Sequence, residues 1–515
     1  MKQLNIITNT LILTATSFLI RIIGMLSTIF LSSVLGTSGL GIYELLMSIY
    51  MTAVVFASAG LCSTVSRLVA EEIGKNNPQN ITLIMRITLM FGFATSMFVS
   101  AGLVVLAPKL VLKFIHDSSA TIGLRFLALS IPFMTCSSSL RGYFYASSKA
   151  FLPASADIIE QTVKISLILL LVTIYAPYGN TYAYAAMGVA LTIGEIVSWT
   201  YVTSMYILDR KKNKVRNVAY TKTKSSVFKE LLHILLPLAG IAYITYIFSS
   251  IENIIIPEGL HKFNTSFMES MSTLGILKGM VLPILVFPSA LLTAFSTTLI
   301  PEISKAVSNN NYGKVNRTAS KVLQLTFMLS IFVVAIFFTY GDELGMLIYK
   351  TEKVGPLLKV LTVIVPFMYI EVISDGLLKG LDKQASCLKF SIFDSIGRII
   401  LIYFLVPIKG VKALVLVMIV SGIFTSVLNF SKLLESTSLK INIVDWFIKP
   451  GVVTIFAATY SKIIITKLLA PASSLAFTII LGVGLCLLIS IPLLFALQCL
   501  KTEDINWIKV HMKSA

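Results

Sequence analysis

Residues 132–149 read PFMTCSSSLRGYFYASSK, and residues 366–383 read PFMYIEVISDGLLKGLDK. Both stretches begin with Pro-Phe-Met, and Pro366 follows Pro132 after 234 residues. Matches at proline, glycine, asparagine and charged positions rarely recur at one constant offset by chance, so they indicate an internal duplication. The same offset, without a gap, aligns Gly142 with Gly376, Lys149 with Lys383, Ile158 with Ile392, Glu160 with Asp394, Lys164 with Arg398, and Asn76-Asn77 with Asn310-Asn311.

The composition is that of a membrane protein. The 515 residues are 56% hydrophobic and 13% charged, whereas soluble domains carry about 25% charged residues. A helix needs about 20 apolar residues to cross the hydrocarbon core, and the apolar runs are continuous, which excludes a β-barrel and a disordered chain. Fourteen spans are predicted, at residues 6–35, 40–66, 81–107, 122–147, 155–175, 182–208, 231–256, 273–300, 318–340, 357–379, 389–407, 411–433, 447–469 and 475–499.

The duplication fixes the predicted architecture. Six spans separate equivalent points, and an even number preserves orientation, so the repeat is parallel, with a pseudo-two-fold axis along the membrane normal. The predicted fold is an all-α polytopic membrane protein of about fourteen helices, in which two six-helix repeats are followed by two extra helices. Its predicted parts are an N-terminal lobe (1–208), a basic cytoplasmic linker (209–230), a C-terminal lobe (231–433), and two extra helices with a cytoplasmic tail (434–515).

Charge predicts the orientation. Lys and Arg number 42 against 24 Asp and Glu, for a net charge of +18, and cytoplasmic loops of membrane proteins collect Lys and Arg. The loops 36–39 and 177–181 carry no charge, so they are predicted to face outward and both termini to face the cytoplasm of the cell membrane. The linker either binds anionic lipid headgroups or serves only as a topology signal. No basic and aromatic soluble segment suggests nucleic-acid binding.

Parallel duplicated bundles are a transporter design, in which two lobes rock about a site between them. The sequence has no GxxxxGK[ST] loop for a nucleotide, and its four His residues form no ligand-spaced cluster. No catalytic constellation is visible, and the five Cys residues lie in or beside apolar runs as small buried hydrophobes. We therefore predict a transporter without a cofactor or a metal, although a membrane enzyme is the alternative.

Several short motifs are distributed along the chain. They are Arg21-Ile22-Ile23-Gly24, Leu35-Gly36, Gly41-Ile42-Tyr43, Arg141-Gly142-Tyr143-Phe144, Pro153, Glu160-Gln161, Phe287-Pro288-Ser289 and Leu299-Ile300-Pro301-Glu302-Ile303-Ser304. Together with the fourteen predicted spans, these motifs resemble the stage V sporulation protein B family, which is related to the lipid II flippases within the multidrug/oligosaccharidyl-lipid/polysaccharide exporter superfamily. The resemblance covers nearly the whole chain.

The resemblance implies a V-shaped pair of lobes around a central cavity. It implies transport of an undecaprenyl-pyrophosphate-linked sugar, the peptidoglycan precursor of the spore cortex, with membrane lipids and cell-wall synthesis proteins as partners. The spans 447–469 and 475–499 would either line a groove for the prenyl tail or only pack against the outside of the bundle. One departure concerns Ser27, which stands where lipid II flippases carry a second arginine, six residues after Arg21.

Three ionisable residues lie near the middle of predicted spans, where a charge costs at least about 2.5–3.5 kcal/mol without a partner. Arg21 is the predicted phosphate ligand, because a guanidinium offers a planar fork of donors; the alternative is a structural Arg21–Glu195 pair. Glu371 is a candidate proton or cation site, or else an interhelical hydrogen-bonding group. The predicted substrate-binding residues are Arg21, Ser27, Glu195 and Glu371.

Two pairs of opposite charges recur at the i, i+4 spacing that allows contact on a helix, Glu160–Lys164 and Asp394–Arg398. They are predicted either to line a charged cytoplasmic vestibule or to neutralise themselves at a helix entrance.

The 234-residue offset also pairs opposite charges, aligning Glu44 with Lys278 and Arg141 with Asp375. Equivalent positions near a two-fold axis face each other, and opposite charges there can pair. We predict an outer gate, Glu44–Lys278, and an inner gate, Arg141–Asp375, which close alternately. The alternative places these residues far from the axis, against headgroups or loops.

The predicted function is a flippase for a lipid-linked oligosaccharide, and not an enzyme. The alternatives are a cation-coupled multidrug antiporter of the same superfamily and a non-transporting scaffold of a cell-wall assembly complex.

Overall fold

The computed structural model describes residues 2–75, 77–212, 221–263, 266–439, 441–468 and 474–501. Every regular element in these ranges is helical. The α-helices are α1 (Lys2–Ser58), α2 (Leu61–Gly74), α3 (Pro78–Leu110), α4 (Ala120–Ala146), α5 (Phe151–Tyr175), α6 (Asn180–Lys212), α7 (Lys224–Lys262), α8 (Phe267–Leu274), α9 (Leu282–Val286), α10 (Ser289–Ser308), α11 (Tyr312–Tyr349), α12 (Val354–Leu361), α13 (Val365–Gly380), α14 (Gln384–Lys409), α15 (Val411–Ser436), α16 (Lys449–Leu468) and α17 (Leu475–Ala496). Short π-helical segments occupy Val111–Ile115, Gly275–Val281 and Val444–Ile448, and 3₁₀ turns occupy Ala176–Tyr178 and Thr362–Ile364.

Thirteen helical segments among the described residues are long and apolar enough to cross a membrane. The first, Ala15–Gly74, is 60 residues long. At about 1.5 Å per residue it measures about 90 Å, far more than the hydrocarbon core of about 30 Å. It therefore covers most of the first predicted span and all of the second, and the predicted all-α membrane fold of about fourteen helices is confirmed.

Glycines with positive φ bend this first segment. Gly36 has φ +69°, which glycine adopts without a Cβ penalty. The helix therefore turns at one residue where the sequence predicted a short loop, 36–39. A second break follows at Gly60, with φ +78°, so the predicted span 40–66 is divided between α1 and α2.

The predicted span 273–300 is also not one continuous helix. Its first part corresponds to the membrane-length segment Phe267–Val286, which includes α8, a π-helical segment and α9. A turn at Phe287-Pro288 then separates it from α10. Proline lacks the N–H that would continue a helix, which accounts for the break at this position.

The chain divides into two compact units. The first unit comprises Met1–Glu258 and Phe267–Gly275, and the second comprises Gly259–Ser266 and Ile276–Ala515. The sequence predicted the division at the linker 209–230, of which residues 213–220 lie outside the described residues. In the structure the division falls within α7 instead, so most of this helix belongs to the first unit.

Polar contacts beside the linker attach the start of α7 to the first unit. The amide of Asn80 on α3 donates to Glu72 on α2 at 2.8 Å and to the Thr221 hydroxyl at 2.6 Å. Lys222 lies 3.0 Å from Glu72 and 2.6 Å from Glu230 on α7. Partial desolvation opposes the charge on Lys222, but hydrogen bonds to the two carboxylates raise the pKa of this lysine. The ammonium therefore joins α7 to the end of α2, and Asn80 joins Thr221 to the start of α3.

Within the first unit, α4 packs against α1, α2, α3 and α6, and α5 packs against α1 and α6. Leu127, Ala128 and Ile131 on α4 are fully buried in these contacts. This central position of α4 brings its polar residues close to those of α5 and α6.

Within the second unit, α13 packs against α10, α11 and α15, and α14 packs against α15. The two extra helices, α16 and α17, pack against each other and against α11. At Tyr340 the backbone of α11 departs from helical geometry (φ −113°). Lys462 on α16 donates to the carbonyl of Thr339 at 2.6 Å and pairs with Glu343 at 2.8 Å. The ammonium thus satisfies a carbonyl at the kink from a different helix.

Candidate functional site

A network of charged side chains joins α4, α5 and α6 inside the first unit. Arg141 on α4 lies 2.5 Å from Asp157 and 3.0 Å from Glu160, both on α5. The same guanidinium donates to the Ser198 hydroxyl on α6 at 3.0 Å. Its planar fork suits several acceptors at once, so one arginine connects three helices.

The network extends along α5 to a second cation and across to a third carboxylate. Lys164 lies 3.7 Å from Glu160, and the buried Glu195 on α6 has Glu160, Lys164 and Arg141 as its charged neighbours. We call Arg141, Asp157, Glu160, Lys164 and Glu195 the first-unit charge cluster. It contains three carboxyl groups and two cations, and removing one partner from such a buried group leaves the others uncompensated.

The structure brings together four residues that the sequence placed in separate roles. Glu160 and Lys164 were predicted as a pair, Arg141 as part of a gate, and Glu195 as a substrate ligand; all four belong to the first-unit charge cluster. Asp157 was missed. The sequence feature that could have identified Asp157 is its position three residues before Glu160, because side chains at i and i+3 share a helix face.

The second unit has a related but differently charged arrangement. Arg398 lies 3.4 Å from Asp394 on α14, and the Ser421 hydroxyl on α15 lies 2.7 and 2.9 Å from the two Asp394 carboxylate oxygens. Glu371, half-buried on α13, has Asp394, Asp375 and Arg398 as its charged neighbours. Both predicted i, i+4 pairs therefore form, whereas their role as a vestibule stays a prediction.

The residues of the predicted inner gate have partners inside their own units. Arg141 contacts Asp157 and Glu160, as above, and Asp375 pairs with Lys379 at 2.6 Å. An inner gate would therefore require Arg141 to exchange carboxylate partners. The gate itself stays a prediction.

The other predicted residues lie on two elements. Arg21 and Ser27 are half-buried on α1 before its bend at Gly36, and Glu44 is half-buried after the bend. Lys278 is half-buried in the π-helical segment Gly275–Val281. In the described part of the chain, no three His, Cys, Asp or Glu side chains are arranged to hold a metal ion.

The sequence matches a known protein family and is similar to two bacterial proteins. Residues 6–307 match a family model described as polysaccharide biosynthesis protein. Stage V sporulation protein B of Bacillus subtilis (strain 168) is 23% identical over 459 residues, which are 88% of this chain and 88% of that protein. The lipid II flippase MurJ of the same organism is 23% identical over 432 residues, covering 78% of this chain and 76% of that protein.

Solved structures show the same fold. A lipid II flippase MurJ in an inward closed conformation superimposes with a TM-score of 0.68 at 14% identity, and covers 93% of this chain and 98% of that chain. An inward-facing multidrug resistance MATE family transporter of the MOP superfamily gives a TM-score of 0.61 at 14% identity, and covers 83% of this chain and 98% of that chain.

Proposed function

Because this chain belongs to the polysaccharide biosynthesis protein family, we propose that it is a flippase that moves an undecaprenyl-linked oligosaccharide across the cytoplasmic membrane by alternating access. A peptidoglycan precursor, used in the spore cortex, is the proposed cargo. The chain has the fold of a multi-pass membrane transporter of the MOP superfamily. Membrane lipids and cell-wall synthesis proteins are its proposed partners.

The observation that supports this cargo best is the coverage of the structural matches. The lipid II flippase covers 93% of the chain and the multidrug transporter covers 83%. The lipid II flippase structure therefore matches about a tenth more of this chain than the drug transporter structure does.

The chemistry of the predicted ligands supports an anionic headgroup. Sugar and pyrophosphate groups cannot enter hydrocarbon without several kcal/mol of penalty for each unsatisfied group. Arg21 provides the fork of donors that phosphate oxygens accept, and Ser27 supplies a neutral hydroxyl six residues later. Glu371 is proposed as the coupling carboxylate. Glu195 is proposed to act through the first-unit charge cluster.

Reconstitution tests the proposed function directly. The purified protein is placed in liposomes, and labelled undecaprenyl-pyrophosphoryl-sugar is assayed for accessibility on the far leaflet. We expect accessibility to rise with time only in protein-containing vesicles. No rise above empty liposomes, together with proton- or sodium-driven export of a cationic drug, would instead support the antiporter, and neither activity would support the scaffold.

A charge exchange tests the predicted outer gate. Glu44→Lys and Lys278→Glu should each lower transport, because each places like charges at equivalent positions of the repeat. The double variant should restore most of the lost rate, because it again places opposite charges at the two positions. A partly solvated ion pair contributes only about 1 kcal/mol, whichever residue carries the positive charge. Lys350→Glu is the control. Lys350 is the residue that directly follows α11, and we expect this substitution to leave the transport rate unchanged. Failure of the double variant to recover any activity would remove Glu44 and Lys278 from the gate.

A further inference from the structure

A cluster of uncharged polar side chains joins α1 to α7 inside the first unit. Ser48 and Thr52 lie one turn apart on α1, and Ser250 and Asn253 lie about one turn apart on α7. All four side chains are half-buried and belong to the first unit. We call these four residues the hydroxyl–amide cluster. Both helices lie in segments that are apolar enough to cross a membrane, so the cluster is a polar site between apolar helices.

The oxygen atoms of the cluster lie close together. The hydroxyl oxygens of Ser48 and Ser250 are 3.2 Å apart, and the hydroxyls of Thr52 and Ser250 also hydrogen-bond to each other. The main-chain carbonyl of Ser48 accepts from the Thr52 hydroxyl at 2.9 Å and from the Ser250 hydroxyl at 3.3 Å. The amide nitrogen of Asn253 donates to the Ser48 hydroxyl at 3.0 Å. Two helices thus bring three hydroxyls, one carbonyl and one amide to the same place.

One acceptor of the cluster lacks a donor. The side-chain oxygen of Asn253 is buried, and no group in the described part of the chain donates a hydrogen bond to it. A buried acceptor without a donor is costly, so hydrogen bonding between the helices does not by itself account for an asparagine at this position. A half-turn of the amide exchanges its oxygen and nitrogen atoms. The oxygen then faces the hydroxyl of Ser48, where the nitrogen lies now.

The chemistry of these atoms suits a hard monovalent cation. Hydroxyl, carbonyl and amide oxygens all carry lone pairs, and a hydroxyl proton can rotate away from a bound ion. Proteins hold divalent Ca²⁺ and Mg²⁺ largely with carboxylates, and the cluster contains none. Uncharged oxygen ligands bind monovalent cations in the selectivity filters of channels. Five such oxygens from α1 and α7 therefore form a ligand set for an alkali-metal ion.

The spacing of the oxygens indicates the size of that ion. Ca²⁺, whose ionic radius is close to that of Na⁺, lies about 2.3–2.6 Å from its oxygen ligands. In an octahedral site of this size, neighbouring ligand oxygens are about 3.3–3.7 Å apart. The Ser250 hydroxyl oxygen lies 3.2 Å from the Ser48 hydroxyl oxygen and 3.3 Å from the Ser48 carbonyl oxygen. These distances match Na⁺ better than the larger K⁺.

We propose that the hydroxyl–amide cluster is a Na⁺ site, in which the bound ion links α1 to α7 within the first unit. Its ligands are the hydroxyls of Ser48, Thr52 and Ser250, the carbonyl of Ser48 and the side-chain oxygen of Asn253. None of these residues belongs to the first-unit charge cluster, and Glu371, the proposed coupling carboxylate, lies on α13 in the second unit. The site does not depend on which cargo the protein moves.

Binding of radiolabelled Na⁺ to the purified full-length protein tests the site. We expect saturable binding that unlabelled Na⁺ displaces and choline does not. Thr52→Val and Asn253→Leu should each lower the affinity for Na⁺ at least about tenfold. Thr200→Val on α6 is the matched control, because the exposed Thr200 hydroxyl donates to the carbonyl of Ile196 at 2.7 Å, as that of Thr52 does to Ser48. No saturable binding by the parent, or parental affinity in both cluster variants, would overturn the proposal.

An added carboxylate gives a second readout that a purely structural role would not produce. Asn253→Asp keeps a side-chain oxygen and should retain Na⁺ binding. Without the ion its carboxylate is buried beside hydroxyls alone, so NaCl should raise its melting temperature by more than it raises that of the parent. Equal melting temperatures of Asn253→Asp in NaCl and in choline chloride would overturn the proposal. Absent sugar transport by the parent, with the expected Na⁺ binding, would refute only the proposed cargo.

Discussion

Arg21→Ala is expected to abolish transport while the protein stays folded and inserted. Losing one partner of a desolvated, hydrogen-bonded charge pair costs at least about 2 kcal/mol, which corresponds to a rate lower by a factor of at least about thirty. Arg21→Lys should recover only part of the lost transport rate, because an ammonium cannot reproduce the guanidinium fork. The liposome assay measures both rates.

An exposed arginine on another helix provides the control for Arg21. Arg86 on α3 is exposed, so Arg86→Ala should leave both transport and the elution profile of the purified protein unchanged. Full transport by Arg21→Ala would exclude Arg21 as a phosphate ligand. Equal losses in Arg21→Lys and Arg21→Ala would show that the fork geometry, and not the charge alone, is required.

Arg141→Leu is expected to destabilise the first unit by about 3–5 kcal/mol, the cost of removing one partner from a buried ion pair. Asp157 and Glu160 would lose their shared cation, and Ser198 would lose its donor. The melting temperature of the purified protein in detergent, or its abundance in membranes, measures the effect. Adding Asp157→Asn and Glu160→Gln to Arg141→Leu should recover much of the loss, because the triple variant contains no uncompensated carboxylate at these positions.

The exposed pair in the second unit is the matched control for Arg141. Lys379 and Asp375 have side chains that are 45% and 36% exposed, so Lys379→Leu should cost no more than about 1 kcal/mol. A melting temperature of Arg141→Leu equal to that of the parent would mean that the network contributes nothing to folding. The absence of any recovery in the triple variant would attribute the loss to packing and not to charge.

The sequence was sufficient to predict the elements that are determined by residues close together in the chain. Continuous apolar runs predicted the spans, and the i, i+4 spacing predicted the Glu160–Lys164 and Asp394–Arg398 pairs that the structure contains. Breaks were harder. The bend at Gly36 falls within the predicted loop 36–39, but the break at Gly60 was not predicted, because a positive φ depends on what surrounds the glycine and the sequence alone does not show it.

Contacts between distant segments account for most of what the sequence missed. The contacts that attach α7 to the first unit include that of Lys222 with Glu72, 150 residues earlier in the chain. The Arg141–Asp157 contact depends on how α4 and α5 are rotated about their axes, which hydrophobicity does not determine when much of the helix surface is apolar.

The contact between Lys462 and the kink of α11 has a consequence for how the protein is made. Thr339 and Glu343 leave the ribosome more than a hundred residues before Lys462 does. At a synthesis rate of about 5–20 residues per second, the interval is on the order of ten seconds. During that time the broken turn at Tyr340 is already in the membrane without the ammonium that satisfies it. The packing at the kink of α11 is therefore completed only after α16 has been synthesised and inserted.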